Sequence, residues 1–179
     1  YFDISATAYE NLRNKTNDRY EYILPNIMYG KTFFTEKFGS VDFNSSALYK
    51  NYSGNKYNTL QTNEIIWNPG SKISKNGFVN TLQGIFKNTN YEAKNTSDYR
   101  VGSVVNEFAG VLSYKKSLPM RKEDKNTSKT ISPNFMIRYA PINMRNLSGN
   151  DVYLNYSNLY ATNKTSEIER GLSTILGFD

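Results

Sequence analysis

Cysteine and histidine are both missing from the sequence. Thiolate nucleophiles, disulfide frameworks, zinc sites of the usual Cys and His types and every Ser-His-Asp or Cys-His arrangement are therefore excluded within this chain. A lack of cysteine leaves the compartment open, because a reduced cytosol and a bacterial envelope both accept a bridge-free protein. No stretch approaches the roughly 18 successive apolar residues of a spanning helix, which excludes a helical membrane protein. A membrane barrel survives that test, since its strands need only about 9 to 11 residues of alternating character. The opening Tyr1-Phe2-Asp3-Ile4 has no basic n-region and no apolar h-region, so a mature or excised segment is expected. Phosphate loops of the Gly-x-Gly-x-x-Gly and Walker kinds are missing too.

What is present is aromatic and basic. Hydrophobic residues make up 38% and aromatics 15%, with 15 Tyr against a single Trp, at a mean hydropathy of −0.65. Such a chain is polar overall, yet Tyr and Phe supply the apolar area that disordered chains lack. Its 179 residues suffice for one domain or part of a larger one. The formal charge of +6 and pI near 9.3 favour an anionic neighbour: nucleic acid, phosphorylated glycolipid or an acidic membrane surface. A merely soluble basic surface is the bland alternative.

Hydrophobic periodicity is two, again and again. Phe2, Ile4, Ala6 and Ala8 alternate with Asp3, Ser5 and Thr7, and Val41, Phe43, Ala47 and Tyr49 alternate with Asp42, Asn44 and Ser46. Phe108, Gly110, Leu112 and Tyr114 stand against Glu107, Ala109, Val111 and Ser113, although Val111 breaks the polar side. Ile131, Phe135, Ile137 and Tyr139 face away from Ser132, Asn134 and Arg138. Less regular strands are expected over 20–30, 57–68 and 77–88, with turns at 13–19, 51–56 and Asn68-Pro69-Gly70-Ser71.

Two polar stretches, 89–103 and 116–129, read as loops interrupting a meander, and a third irregular stretch from Pro141 to Ser166 is shortened if Val152, Leu154, Tyr156 and Tyr160 form a strand. Residues 166–176 carry two patterns. Ser166 with Glu169 is a capping box, and Ile168, Leu172, Ile175 and Leu176 have helical spacing. As a strand, the same segment puts Ile168, Leu172, Leu176 and Phe178 on one face, and Gly171 and Gly177 tip the balance towards strand. Pro25 and Pro133 mark an edge, a bulge or a strand end, and the strand-end reading is favoured slightly.

Little here carries chemistry. Glu123-Asp124 lies among basic residues, where ion pairing and solvation account for it. Glu167 and Glu169, if extended, line a wet interior rather than protonate a substrate. Asn-x-Ser/Thr sequons recur, including at Asn14, Asn126 and Asn163, as chance predicts for a chain so rich in these residues. Lys beside Tyr, as in Tyr49-Lys50-Asn51-Tyr52 and Tyr114-Lys115-Lys116, fits single-stranded nucleic acid only if cations and rings share an exposed face. In the regular dyads the rings share a face with Ile, Val, Leu and Ala instead, so no nucleic-acid partner is expected.

Four blocks resemble a family. Arg19-Tyr20-Glu21-Tyr22-Ile23-Leu24-Pro25-Asn26-Ile27-Met28-Tyr29 is similar to the Arg, Leu-Pro, Tyr strand of LptD (OstA), the LPS-assembly proteins of the Gram-negative outer membrane. Ser132-Pro133-Asn134-Phe135-Met136-Ile137-Arg138-Tyr139-Ala140-Pro141 resembles the family's Ser-Pro-x-x-x-x-Arg-Tyr-Ser/Ala-Pro segment. Asn155 to Lys164 is similar to the asparagine-rich segment that follows, and Glu169 to Asp179 to the Glu-Gly-Gly-x-Ser-x-x-Leu-Gly strand after that. The blocks occur in the family's order and cover about a third of the chain. Ile142 stands where a Gly often follows the Pro, and Arg170 replaces one Gly of the pair. The family's periplasmic jellyroll, cysteines and terminal aromatic signal are not in the sequence. The resemblance thus implies an internal piece of the barrel, which with a plug lipoprotein (LptE-like) passes lipopolysaccharide to the outer leaflet without chemistry.

The expectation is a single all-β segment over residues 1–179, an antiparallel up-and-down meander of about eight strands forming part of a transmembrane outer-membrane β-barrel. Phe2, Ile4, Val41, Phe43, Phe108, Leu112, Phe135, Ile137, Leu172 and Leu176 are expected to face outer-membrane lipid. Asp3, Ser5, Asp42, Asn44, Glu107, Asn134, Arg138 and Ser173 are expected to line a hydrated lumen. No catalytic residue, cofactor or metal is expected. The rival readings are a small self-closing barrel of the porin or adhesin kind and a soluble β-sandwich that binds glycans.

Overall fold

The computed structural model describes residues 1–10, 12, 20–52, 56–95, 103–125, 127–144, 158–163 and 167–179. Among these the regular structure is all strand: β1 (Phe2–Glu10), β2 (Tyr20–Thr35), β3 (Gly39–Tyr52), β4 (Lys56–Asn68), β5 (Ser71–Ile73), β6 (Val79–Lys94), β7 (Val105–Ser117), β8 (Met120–Asp124), β9 (Thr127–Ile131), β10 (Pro133–Ala140) and β11 (Gly171–Phe178). The main sheet runs β1-β2-β3-β4-β6-β7-β10-β11, with β5 beside β6 and β8-β9 as a separate hairpin. Every register resolved is antiparallel, so the expected eight-strand meander is observed. Among the described residues it is an open sheet with β1 and β11 as its two edges, and it does not close into a barrel.

Local chemistry explains the departures from the expected elements. Pro25 sits inside β2, not at its end, because the register passes from Ser5↔Asn26 to Thr7↔Ile23 and so sets Leu24 and Pro25 opposite Ala6. An extra residue at such an irregularity has no ladder bond to make, and proline has no N–H to offer. Pro133 is the first residue of β10, the other place where a sheet accepts proline. Gly39 begins β3 with φ of 73°, and a Cβ there would stand 2.4 Å from both the Asn68 carbonyl oxygen and Pro69 Cα. Only glycine fits the turn from β2.

The stretches read as loops are largely strand. β6 continues to Lys94 because Thr89, Tyr91 and Ala93 bury one side while Asn90 and Glu92 occupy the other. Residues 116–129 hold the end of β7 and most of the β8–β9 hairpin, in which Met120 pairs with Ile131, Arg121 with Thr130 and Glu123 with Ser128. Charged strands exposed on both sides carry no apolar alternation, so periodicity does not reveal them. In the last segment β11 starts only at Gly171. Ile168 precedes it and is 1% exposed, so it does not share the exposed side of Leu172 and Leu176. Glu167 and Glu169 lie outside the strand as well, with Glu167 buried and Glu169 exposed. Tyr160 belongs to a turn closed by Ala161 N–H donating to the Asn158 carbonyl at 3.0 Å, while Val152, Leu154 and Tyr156 fall outside the described residues.

Two compact units make up the chain. The first comprises Tyr1–Thr32, Asp42–Ile65 and Lys87–Phe108, and the second Phe33–Val41, Ile66–Phe86 and Ala109–Asp179. In the first, Tyr91 and Ala93 are the buried apolar residues. In the second, Ala109, Val111, Ala140, Met144 and Ile168 form one cluster with Ile85 against it. Met144 and Ile168 come from outside the strands and are joined by Met144 N–H donating to the Ile168 carbonyl at 3.0 Å.

Candidate functional site

Strand alternation sorts the expected residues onto opposite faces within each unit. In the first unit, Phe2 lies opposite Tyr29 and Ile4 opposite Ile27, while the Tyr29 and Phe43 rings are 6.1 Å apart. Phe2 and Ile4 are exposed, as is Phe108; Phe43 is half-buried. Val41, which belongs to the second unit, is half-buried. In the second unit, Phe135 pairs with Leu176 and Tyr139 with Leu172 on one flank, and Ile137 with Tyr114 and Tyr139 with Leu112 on the other. Leu172 is 67% exposed and Leu176 77%. These apolar rows carry no covering layer among the described residues, an arrangement that marks a contact surface rather than a core.

The exposed face of the first unit also carries a belt of amides. Ser45 Oγ donates to Asn63 Oδ1 at 2.7 Å, Asn63 Nδ2 to Asn88 Oδ1 at 3.4 Å, and Asn88 Nδ2 to Asn106 Oδ1 at 3.3 Å. Asn90 Nδ2 donates to Asn88 Oδ1 at 2.9 Å, and Asn106 Nδ2 returns a bond to Asn90. Ser45 follows Phe43 by two residues and Asn106 precedes Phe108 by two, so the belt and the apolar residues of the first unit share a side. Tyr49 and Tyr57 bring their rings to 6.0 Å, and Tyr57 donates to Glu92 Oε1 at 3.2 Å. The sequence reading missed this belt because asparagine signals turns; the two-residue spacing from Phe86 and Phe108 was the available clue.

The opposite face holds the polar set. In the first unit Asp3 is exposed, Ser5 accepts from Asn26 Nδ2 at 3.2 Å, and Asp42 accepts from Thr32 Oγ1 at 2.5 Å. Asn44 Oδ1 accepts from the Tyr1 hydroxyl at 3.4 Å, and Glu107 Oε1 from the Tyr91 hydroxyl at 3.1 Å.

In the second unit the polar face is covered. Arg138 is buried, its Nε donating to the Thr162 carbonyl at 2.7 Å and its Nη2 to the Glu169 carbonyl at 3.0 Å. Thr162 meets the Ser113 hydroxyl at 2.6 Å and donates to Gln83 Oε1. Asn134 is buried and donates to Asp179 Oδ2 at 2.7 Å, while the buried Ser173 Oγ has no hydrogen-bond partner among the described residues. Lys115 holds its ammonium 4.5 Å from the Tyr160 ring centre. Burial, and then the Asp179 carboxylate, raises the Tyr160 phenol above its usual value. Arg138 thus gathers residues from three of the four blocks that carried the family resemblance. No signal in the sequence singled out Thr162 or Met144.

No family model matches the chain, and no curated protein or solved structure does. Among the described residues no cluster of three acidic side chains is placed to hold a metal ion. What the arrangement offers is physical: in the first unit exposed apolar side chains share a face with a hydrogen-bonded amide belt, and in the second an exposed apolar face lies opposite a covered polar one.

Proposed function

We propose that the chain is a wall segment of an outer-membrane β-barrel that moves lipopolysaccharide to the outer leaflet without covalent chemistry. The carrying observation is that each unit exposes large apolar side chains with no covering layer among the described residues, Phe2, Ile4 and Phe108 in the first and Leu112, Ile137, Leu172 and Leu176 in the second. Water disfavours such exposure at about 25 cal/mol per Å² of apolar surface, and lipid tails do not. β2, β3, β4, β6 and β7 have 13 to 16 residues each, beyond the roughly 9 to 11 that a tilted membrane strand requires. The cargo assignment draws on the resemblance to LptD and on the net positive charge, which suits lipid A phosphates. A plug lipoprotein of the LptE kind would meet the polar face. Because a bilayer does not tolerate unpaired strand edges, the proposal requires β1 and β11 to be paired in the membrane.

Phe43→Arg and Asn44→Arg test the orientation, since they place one charge on adjacent, opposite-facing positions. The expected cost in bilayer-folding experiments is about 2 to 4 kcal/mol for Phe43→Arg near the midplane and far less for Asn44→Arg. Equal tolerance of the two overturns the reading. Partition into water without detergent assigns the chain to a soluble sandwich, and heat-modifiable migration of the chain by itself assigns it to a small self-closing barrel.

A further inference from the structure

A cleft of about 480 Å³ opens in the second unit where β7, β10 and β11 converge. Its volume falls within the range of about 300 to 1,000 Å³ of small-molecule sites. Phe78, Leu118, Phe135, Leu176 and Phe178 provide apolar walls, and Lys116 provides the single charge. Lys116 pairs with Phe135 across the ladder and holds its ammonium 4.2 Å from the Phe78 ring centre. An aliphatic stem on apolar surface with a cation at the rim is how lysine sits at a membrane boundary.

The chain beyond this cleft is cationic. β7 passes through Leu118, whose N–H donates to the Pro133 carbonyl at 3.1 Å, into the β8–β9 hairpin. That hairpin carries Arg121, Lys122, Lys125 and Lys129 against Glu123 and Asp124, all exposed. Lys122 and Lys129 lie directly opposite each other, a like-charge pair that costs stability unless an anion lies nearby. Among the described residues Arg121 pairs there with Glu123 at 2.5 Å.

We propose that this cleft takes an acyl chain of an anionic phospholipid, with Lys116 against its phosphate and the hairpin cations over neighbouring headgroups. The inference rests on the membrane reading and adds a ligand to it. A second protein copy fits less well, because the lining is apolar apart from Lys116 and the other cations lie on the adjoining hairpin.

The test uses the full chain in vesicles of equimolar phosphatidylglycerol and phosphatidylcholine, extracted and weighed by native mass spectrometry. Preferential retention of phosphatidylglycerol is expected, falling about tenfold in Lys116→Gln and persisting in Lys116→Arg. Insertion with equal retention of the two lipids, or no change in Lys116→Gln, overturns the cleft assignment and leaves the membrane reading intact. Failure of the wild-type chain to insert overturns both. If Lys116→Gln alone does not insert, Lys116→Arg decides: retention supports the site and loss refutes it.

Discussion

Asn88 in the first unit and Arg138 in the second are buried polar residues on strands of one sheet, yet their hydrogen bonds go in different directions. Asn88 is satisfied sideways, by Asn63, Asn90 and Asn106 on its own and adjacent strands. Arg138 is satisfied by the backbone of Thr162 and Glu169, which belong to no strand. Sideways satisfaction needs only neighbouring strands in register and leaves the amide belt on a face of exposed rings. Satisfaction from a covering segment needs a chain that returns over the sheet, and Ile168 and Met144 bring the apolar contacts that hold it. One sheet grammar thus yields a laterally knitted region and a capped region.

Removing the cap should have the largest effect. Ile168→Ala is expected to cost about 3 kcal/mol, because its side chain is 1% exposed and a cavity is left in the cluster. Denaturant unfolding reads the loss, and hydrogen exchange should show it in the second unit with the Asn63–Asn88 region unchanged. A uniform loss of protection in both units would erase the distinction between them.

Arg138→Met comes next. It leaves the Thr162 and Glu169 carbonyls without their donor, at an expected cost of about 2 kcal/mol. Limited proteolysis within 158–170 should accelerate more than cleavage elsewhere. Unchanged cleavage would mean that the apolar cluster alone holds the segment.

Asn88→Ala is the smallest change, at about 1 kcal/mol, since water can replace the lost partners on this partly open face. Its exchange signature should be confined to β4, β6 and β7 around Asn63, Asn90 and Asn106. A spread to the Arg138 region would show that the two modes are coupled.

The rule that adjacent strand residues point to opposite faces separates Phe135 from Asn134, Leu172 from Ser173 and Phe108 from Glu107. It failed where the pattern had no apolar contrast, as in the hairpin pairing Lys122 with Lys129 and Glu123 with Ser128. It also failed at Ile168, whose spacing from Leu172 and Leu176 fits a strand face although the strand begins only at Gly171.

The sequence by itself carried the all-strand character and the alternation of the regular dyads, because a period of two is set by the geometry of one extended chain. Only the tertiary structure decided that the sheet stays open, that asparagines knit one region, and that Arg138 is buried beneath Thr162 rather than bathed in water. Those outcomes depend on which distant segments meet, and contacts between residues 24 or 79 positions apart, as for Arg138 with Thr162 and Gln83 with Thr162, leave no periodic trace in the chain.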